Sequence, residues 1–182
     1  MFATEMFGRG REGYPRGVTT DRVDEMVAEW HRERPDLGRA LDAMGTIGRI
    51  GRLAVLGTRV VEAGMAEHDL SVGDFDVLAA LRRSGEPYEL KPSDLSRTLM
   101  LSPAGMTSRL DRLEQAGFVD RRMDPDDRRS FLVRLNDAGR AKVDAAVTDH
   151  VAREDALLSA LSRREREALD DLLRRLVLSI EP

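Results

Sequence analysis

Residues 102–140 read SPAGMTSRLDRLEQAGFVDRRMDPDDRRSFLVRLNDAGR, and a change of period inside this stretch decides the fold. Ser102-Pro103 is a helix start, with serine as N-cap and proline in the first turn, where a missing N–H is no loss. Met106, Leu110 and Leu113 then recur at helical spacing up to Gly117, which is placed for a left-handed C-cap that would fold Phe118 back on Leu113. From Phe118 the pattern alternates instead, through Val119, Arg121 and Met123 and then Phe131, Val133 and Leu135. Between the two runs lies Asp124-Pro125-Asp126-Asp127-Arg128-Arg129, a polar, turn-rich tip. The spacing predicts a β-hairpin.

Working outward, Pro92 can open a short helix over 93–100, so two short helices and a tight turn precede the hairpin. That order is a winged helix-turn-helix. Ser71, followed three residues later by Asp74, resembles a capping box, and Phe75, Val77, Leu78 and Leu81 continue helically until Ser84-Gly85-Glu86-Pro87. Further upstream, Val23, Met26, Val27 and Trp30 predict a helix from Asp21 to Pro35. Leu41 to His68 forms a longer one with a single wide apolar stripe. Glycines 45, 48, 51, 57 and 64 each weaken that helix by roughly 1 kcal/mol, so close packing must hold it. Downstream, Asn136 can cap a helix from Asp137 to about Leu161. Ser162-x-x-Glu165 is a capping box for a last helix carrying Leu169, Leu172, Leu173, Leu176, Val177 and Ile180.

The expected fold is therefore mainly α with a small β wing. Residues 1–18, with four glycines and a proline, read as a flexible arm; 19–68 as N-terminal dimerisation helices; 69–135 as the winged helix-turn-helix; and 136–182 as C-terminal dimerisation helices. The stripes at both ends exceed what a central domain of this size could cover, which predicts an intertwined homodimer.

Composition narrows the function. At 182 residues with 41% apolar and 34% charged residues, the chain has a soluble globular balance, without an apolar run of membrane-spanning length or a hydrophobic leader. A cytoplasmic location is expected. The absence of cysteine excludes disulfides, thiolate metal sites and thiol redox switches, and His31, His68 and His150 lack metal-site spacing. No nucleophile–base pair or glycine-rich phosphate loop appears, so neither an enzyme nor a resident cofactor or metal is expected. The net charge of −4 argues against nucleic acid only on the scale of the whole chain. Residues 91–135 hold nine Lys/Arg against seven Asp/Glu, a balance of +2, which leaves −6 elsewhere.

That basic segment suits a reader of double-stranded DNA. On helix 102–116, Ser102, Thr107, Ser108, Arg109 and Arg112 lie away from the apolar face. Hydroxyls suit phosphate and base-edge contacts, and arginine can grip a guanine edge bidentately. Arg128 and Arg129 at the hairpin tip could enter a minor groove.

The run PSDLSRTL (92–99), the segment 102–119, DPDDRRS (124–130) and LNDAGR (135–140) together resemble the multiple-antibiotic-resistance regulator (MarR) family over roughly residues 41–178. The resemblance implies a homodimeric winged-helix transcription regulator, mostly a repressor relieved by small molecules, with Asp126 bracing Arg128. Lys91 stands where many relatives carry a serine or threonine cap, and adds a cation on the phosphate side. A urate-responsive branch of the family is matched at Trp30, Asp76, Arg109 and Arg121, which implies a small anionic aromatic effector, such as urate, that parts the aspartate from its arginine. The residues alone leave other readings open: Trp30 as a core or dimer anchor, and Asp76–Arg121 as a structural ion pair. They also leave a sequence-tolerant architectural DNA-binding protein without a ligand as the alternative function.

Overall fold

The computed structural model describes residues 20–125 and 130–181. The chain forms two compact units, Arg59–Arg153 and the remainder on either side of it. Among the described residues there are seven helices and one small antiparallel sheet, the mainly α architecture that the periods predict.

In the unit made from the two ends of the chain, α1 (Arg22–Glu33) begins at Asp21, whose carboxylate accepts the Val23 and Asp24 N–H groups. Asp24 returns its carboxylate to the Asp21 N–H at 2.9 Å, completing a capping box. Arg49 of α2 (Ala40–Glu67) reaches both acids, its Nε donating to Asp21 Oδ2 at 2.9 Å. Packing against α1 is closest at Gly48 of α2, with Gly45 in ordinary contact. A Cβ on Gly48 would lie 3.2 Å from Val23, and one on Gly45 would lie 3.5 Å from Val27. Gly51 and Gly57 have nothing within 4 Å. The last helix, α7 (Arg163–Ile180), starts at the expected Ser162–Glu165 box and leaves Leu172, Leu176, Val177 and Ile180 exposed.

The other unit is built on α3 (Val72–Arg83), α4 (Pro92–Thr98), α5 (Pro103–Gln115) and part of α6 (Asp137–Leu157). Its core gathers Met65, Phe75, Val77, Leu78, Leu81, Leu95, Met106, Leu110, Leu113, Val119, Val133, Leu135 and Val143. The hairpin is β2 (Val119–Met123) paired with β3 (Phe131–Leu135), in register from Val119 opposite Leu135 to Met123 opposite Phe131. A third strand, β1 (Glu89–Leu90), flanks β3 and is two residues long, too short to carry an alternating pattern. Gly117 adopts φ 73°, and the Phe118 N–H bonds the Leu113 carbonyl at 3.0 Å, so the predicted C-cap forms. Asn136 accepts the Gly139 N–H at 2.9 Å and donates to the Gly117 carbonyl at 3.0 Å. Any Cβ at Gly139 would collide with the Phe118 carbonyl, which is why the helix following the wing needs glycine there. Helix α6 stops at Leu157, a turn earlier than its pattern suggested, because residues 158–161 bend into the Ser162 cap.

Candidate nucleic-acid interface

The helix-turn-helix is α4, a turn through Met100, and α5. Met106, Leu110 and Leu113 are fully buried, which turns the opposite face of α5 outward. On that face Ser102, Thr107 and Ser108 are exposed. Two of these hydroxyls already serve the helix: Ser102 Oγ accepts the Gly105 N–H at 3.2 Å, and Thr107 donates to the Pro103 carbonyl at 3.0 Å.

Both arginines of α5 reach the first turn of α3, Arg109 half-buried and Arg112 still largely exposed. The Arg109 guanidinium lies directly on the backbone of Gly73, where any Cβ would overlap it. Arg112 donates from Nη2 to Asp74 Oδ1 at 2.9 Å and from Nη1 to Ser108 Oγ at 3.2 Å. Ser71 caps α3 as expected, accepting the Asp74 N–H at 3.1 Å. Asp74, however, accepts the Ser71 hydroxyl on its other oxygen at 2.7 Å instead of the Ser71 N–H, so the capping box is only half of the expected one. Two residues along, half-buried Asp76 is held above the ordinary carboxylate range by desolvation, against the opposing pull of Arg109, Arg83 and His150. His150 of α6 meets Phe75 edge to face, with ring centroids 5.2 Å apart.

Arg121 belongs to a separate cluster. It bonds Asp111 and lies 3.4 Å from Glu114, both on α5, with its guanidinium over the Phe131 ring. The ion pair with Asp76 that the residues left open is not formed, since Arg121 is drawn to the acids of α5 that face β2. Trp30 sits on α1 in the other unit, 43% exposed. Asp126, Arg128 and Arg129 lie outside the described residues.

At the tip end of the β2–β3 ladder, Lys91, a candidate cation for phosphate, is committed elsewhere. Its Nζ lies 2.7 Å from Asp124 Oδ2, and Asp124 is 3% exposed. Asp124 also donates its N–H to the Ser130 carbonyl at 3.1 Å, closing the hairpin. Lys91 gives α4 no side-chain cap. Glu89 is likewise shielded, between Arg122 and Arg134. Among the described residues no group of three or more acids and histidines is placed for a metal, and no helix is long and apolar enough to cross a membrane.

Sequence reasoning missed the parts of this arrangement that depend on approach between helices. Gly73 had no visible role, because what it provides is an empty volume. Asp74 was read as a cap because its spacing from Ser71 is local, whereas Arg112 is 38 residues away.

Comparison with known proteins gives a consistent picture. The MarR family model matches residues 68–130. The transcriptional regulator PecS of Dickeya dadantii is 40% identical over 84% of this chain and 91% of its own length. Among solved structures, Sco5413, a MarR family transcriptional regulator from Streptomyces coelicolor, superposes with a TM-score of 0.64 at 28% identity, over 76% of this chain and 94% of its own. A mutant MarR from E. coli, complexed with operator DNA, superposes with a TM-score of 0.62 at 25% identity, over 81% of this chain and 96% of its own. These relatives are regulators of transcription, not enzymes.

Proposed function

The chain belongs to the MarR family of transcriptional regulators, and from that premise we propose that it is a repressor that binds a pseudo-palindromic operator as a homodimer and is released by a small anionic aromatic acid such as urate. The observation that carries this reading is the seat of Arg109 on Gly73, one turn from half-buried Asp76. An arginine of the helix that would enter the major groove thus rests on the backbone of α3, next to a carboxylate held at a cost. An arriving anion would offer Arg109 a better partner than the backbone beneath it, and the helix would move with its side chain. Arg109 therefore has two roles in the proposal, DNA contact and effector contact.

Ser102, Thr107, Ser108 and Arg112 complete the DNA-facing side of α5, with Arg128 and Arg129 as groove contacts of the wing and Asp126 as the brace of Arg128. Arg121, paired with Asp111 and Glu114, is the second cation proposed for the effector. The E. coli relative complexed with operator DNA supports the DNA partner. The exposed apolar residues of α7 support association with a second copy, which gel filtration tests: a monomer would remove the two-half-site model.

The decisive measurement is a mobility shift with the DNA flanking the chain's own gene, against urate and a panel of aromatic acids. Urate is expected to release the wild type and to leave Asp76→Ala bound, and the same titration of Trp30→Ala tests the aromatic contact that the family resemblance implies. Random duplex bound as tightly as operator, with no acid causing release, would replace this function by architectural DNA binding. Arg128→Ala is expected to weaken operator binding by about 1–3 kcal/mol.

A further inference from the structure

Arg112 and Asp74 form a contact that neither the fold nor the effector reading requires. Asp74 is doubly anchored: its N–H and its Oδ2 both bond the Ser71 hydroxyl, and it sits in the first turn of α3, where the helix field favours a negative charge. Its side chain is 15% exposed. Arg112, by contrast, is 52% exposed and stands on the outward face of α5. Of the two partners, the arginine is the one able to leave. A DNA phosphate offers its guanidinium the same planar, bidentate geometry as a carboxylate, with more charge nearby. Meanwhile the paired Asp74 puts a fixed negative charge within 3 Å of a cation that should face a polyanion.

We propose that Asp74 is a brake on DNA binding: it withholds Arg112 until a backbone phosphate takes the arginine from it. Because phosphate carries no sequence information, the brake lowers affinity for operator and random duplex by the same factor. It sets how tightly the protein grips DNA without changing which DNA it selects. The proposal rests on α5 being the DNA-facing helix.

Asp74→Asn keeps an acceptor for Arg112 and a donor for Ser71, so the cap of α3 is preserved while the charge is removed. Operator and random-duplex affinities are both expected to rise about threefold to fivefold, the range of a partly exposed ion pair. The slope of log affinity against log salt should steepen by about one, as one more cation engages phosphate. A double-mutant cycle separates this from the simple loss of a negative charge. In an Arg112→Gln background, Asp74→Asn should leave affinity unchanged, whereas a field effect would persist in both backgrounds and overturn the brake. If Asp74 instead aims Arg112 at DNA, Asp74→Asn lowers affinity, which also overturns it. Should Arg112→Gln alone leave operator binding intact, the fault lies with α5 as the reading helix. If Arg112→Gln weakens binding but Asp74→Asn does not strengthen it, only the brake fails.

Discussion

Two helix starts in this molecule use nearly the same parts and come to opposite ends. Asp21-Arg-Val-Asp24 opens α1 and Ser71-Val-Gly-Asp74 opens α3; each has a side-chain N-cap, an acid three residues later and an arginine supplied by another helix. At α1 every group is satisfied. The capping box is closed, Arg49 holds both acids, and backbone N–H groups together with that arginine push Asp21 and Asp24 below the ordinary carboxylate range. At α3 the box is left half made, Asp74 is diverted to Arg112, and Asp76 is pushed up by burial. The third position differs too: Val23 is buried against Gly48, whereas Gly73 leaves its space to Arg109. A clamp is a site where local and tertiary demands agree. A switch keeps a charge where it is partly unwelcome, so that a ligand or DNA can change the balance.

Exchanging the third residues should break the comparison most clearly. Val23→Gly removes a buried side chain and adds a helical glycine, so denaturant unfolding is expected to show a loss of about 2–3 kcal/mol, with DNA affinity per folded molecule unchanged. Gly73→Val should do the reverse. The fold should survive, but with Arg109 displaced the effector midpoint in a release titration is expected to rise about tenfold or more, the size of a typical coupling energy.

The pH dependence should separate the two starts by sign. Asp21 and Asp24 have depressed values in the folded chain, so the stability they add is complete above the ordinary value of 3.8 and is lost as pH falls through the lowered values. Arg49→Met should remove much of that acid-side loss in thermal unfolding. Asp76 has a raised value, so the folded chain holds its proton more tightly, and stability falls as pH climbs from 3.8 through the raised value, then levels off. The smallest effect expected is therefore a modest gain in melting temperature at neutral pH for Asp76→Asn, accompanied by a blunted effector response. A loss of stability would mean that the attraction of Arg109, Arg83 and His150 outweighs the cost of burying the Asp76 charge.

Much of the architecture was legible in advance because it is written in short-range spacing. The Ser102-Pro103 start, the Gly117 cap, the alternation of β2 and β3 and the Ser162–Glu165 box each depend on residues within a few positions of one another. Each appears where its pattern places it. The exposed hydroxyls of α5 were legible for the same reason, since burying Met106, Leu110 and Leu113 determines which side faces out.

What the chain could not announce locally was the destination of its long charged side chains. Arg109, Arg112 and Arg121 lie on or near one helix, and spacing alone does not tell which acid or backbone each one meets. Packing sends the first to a glycine backbone, the second to Asp74 and the third to Asp111 and Glu114. Lys91 read as a cation for phosphate until the fold brought Asp124 to it from 33 residues away. By itself, the sequence determined the elements, their order and the side of α5 that meets solvent, because period and capping act over one or two turns. Only the tertiary structure decided which charges stand ready and which are held, because a guanidinium reaches across elements and pairs with whatever acid or open backbone packing has put within its span.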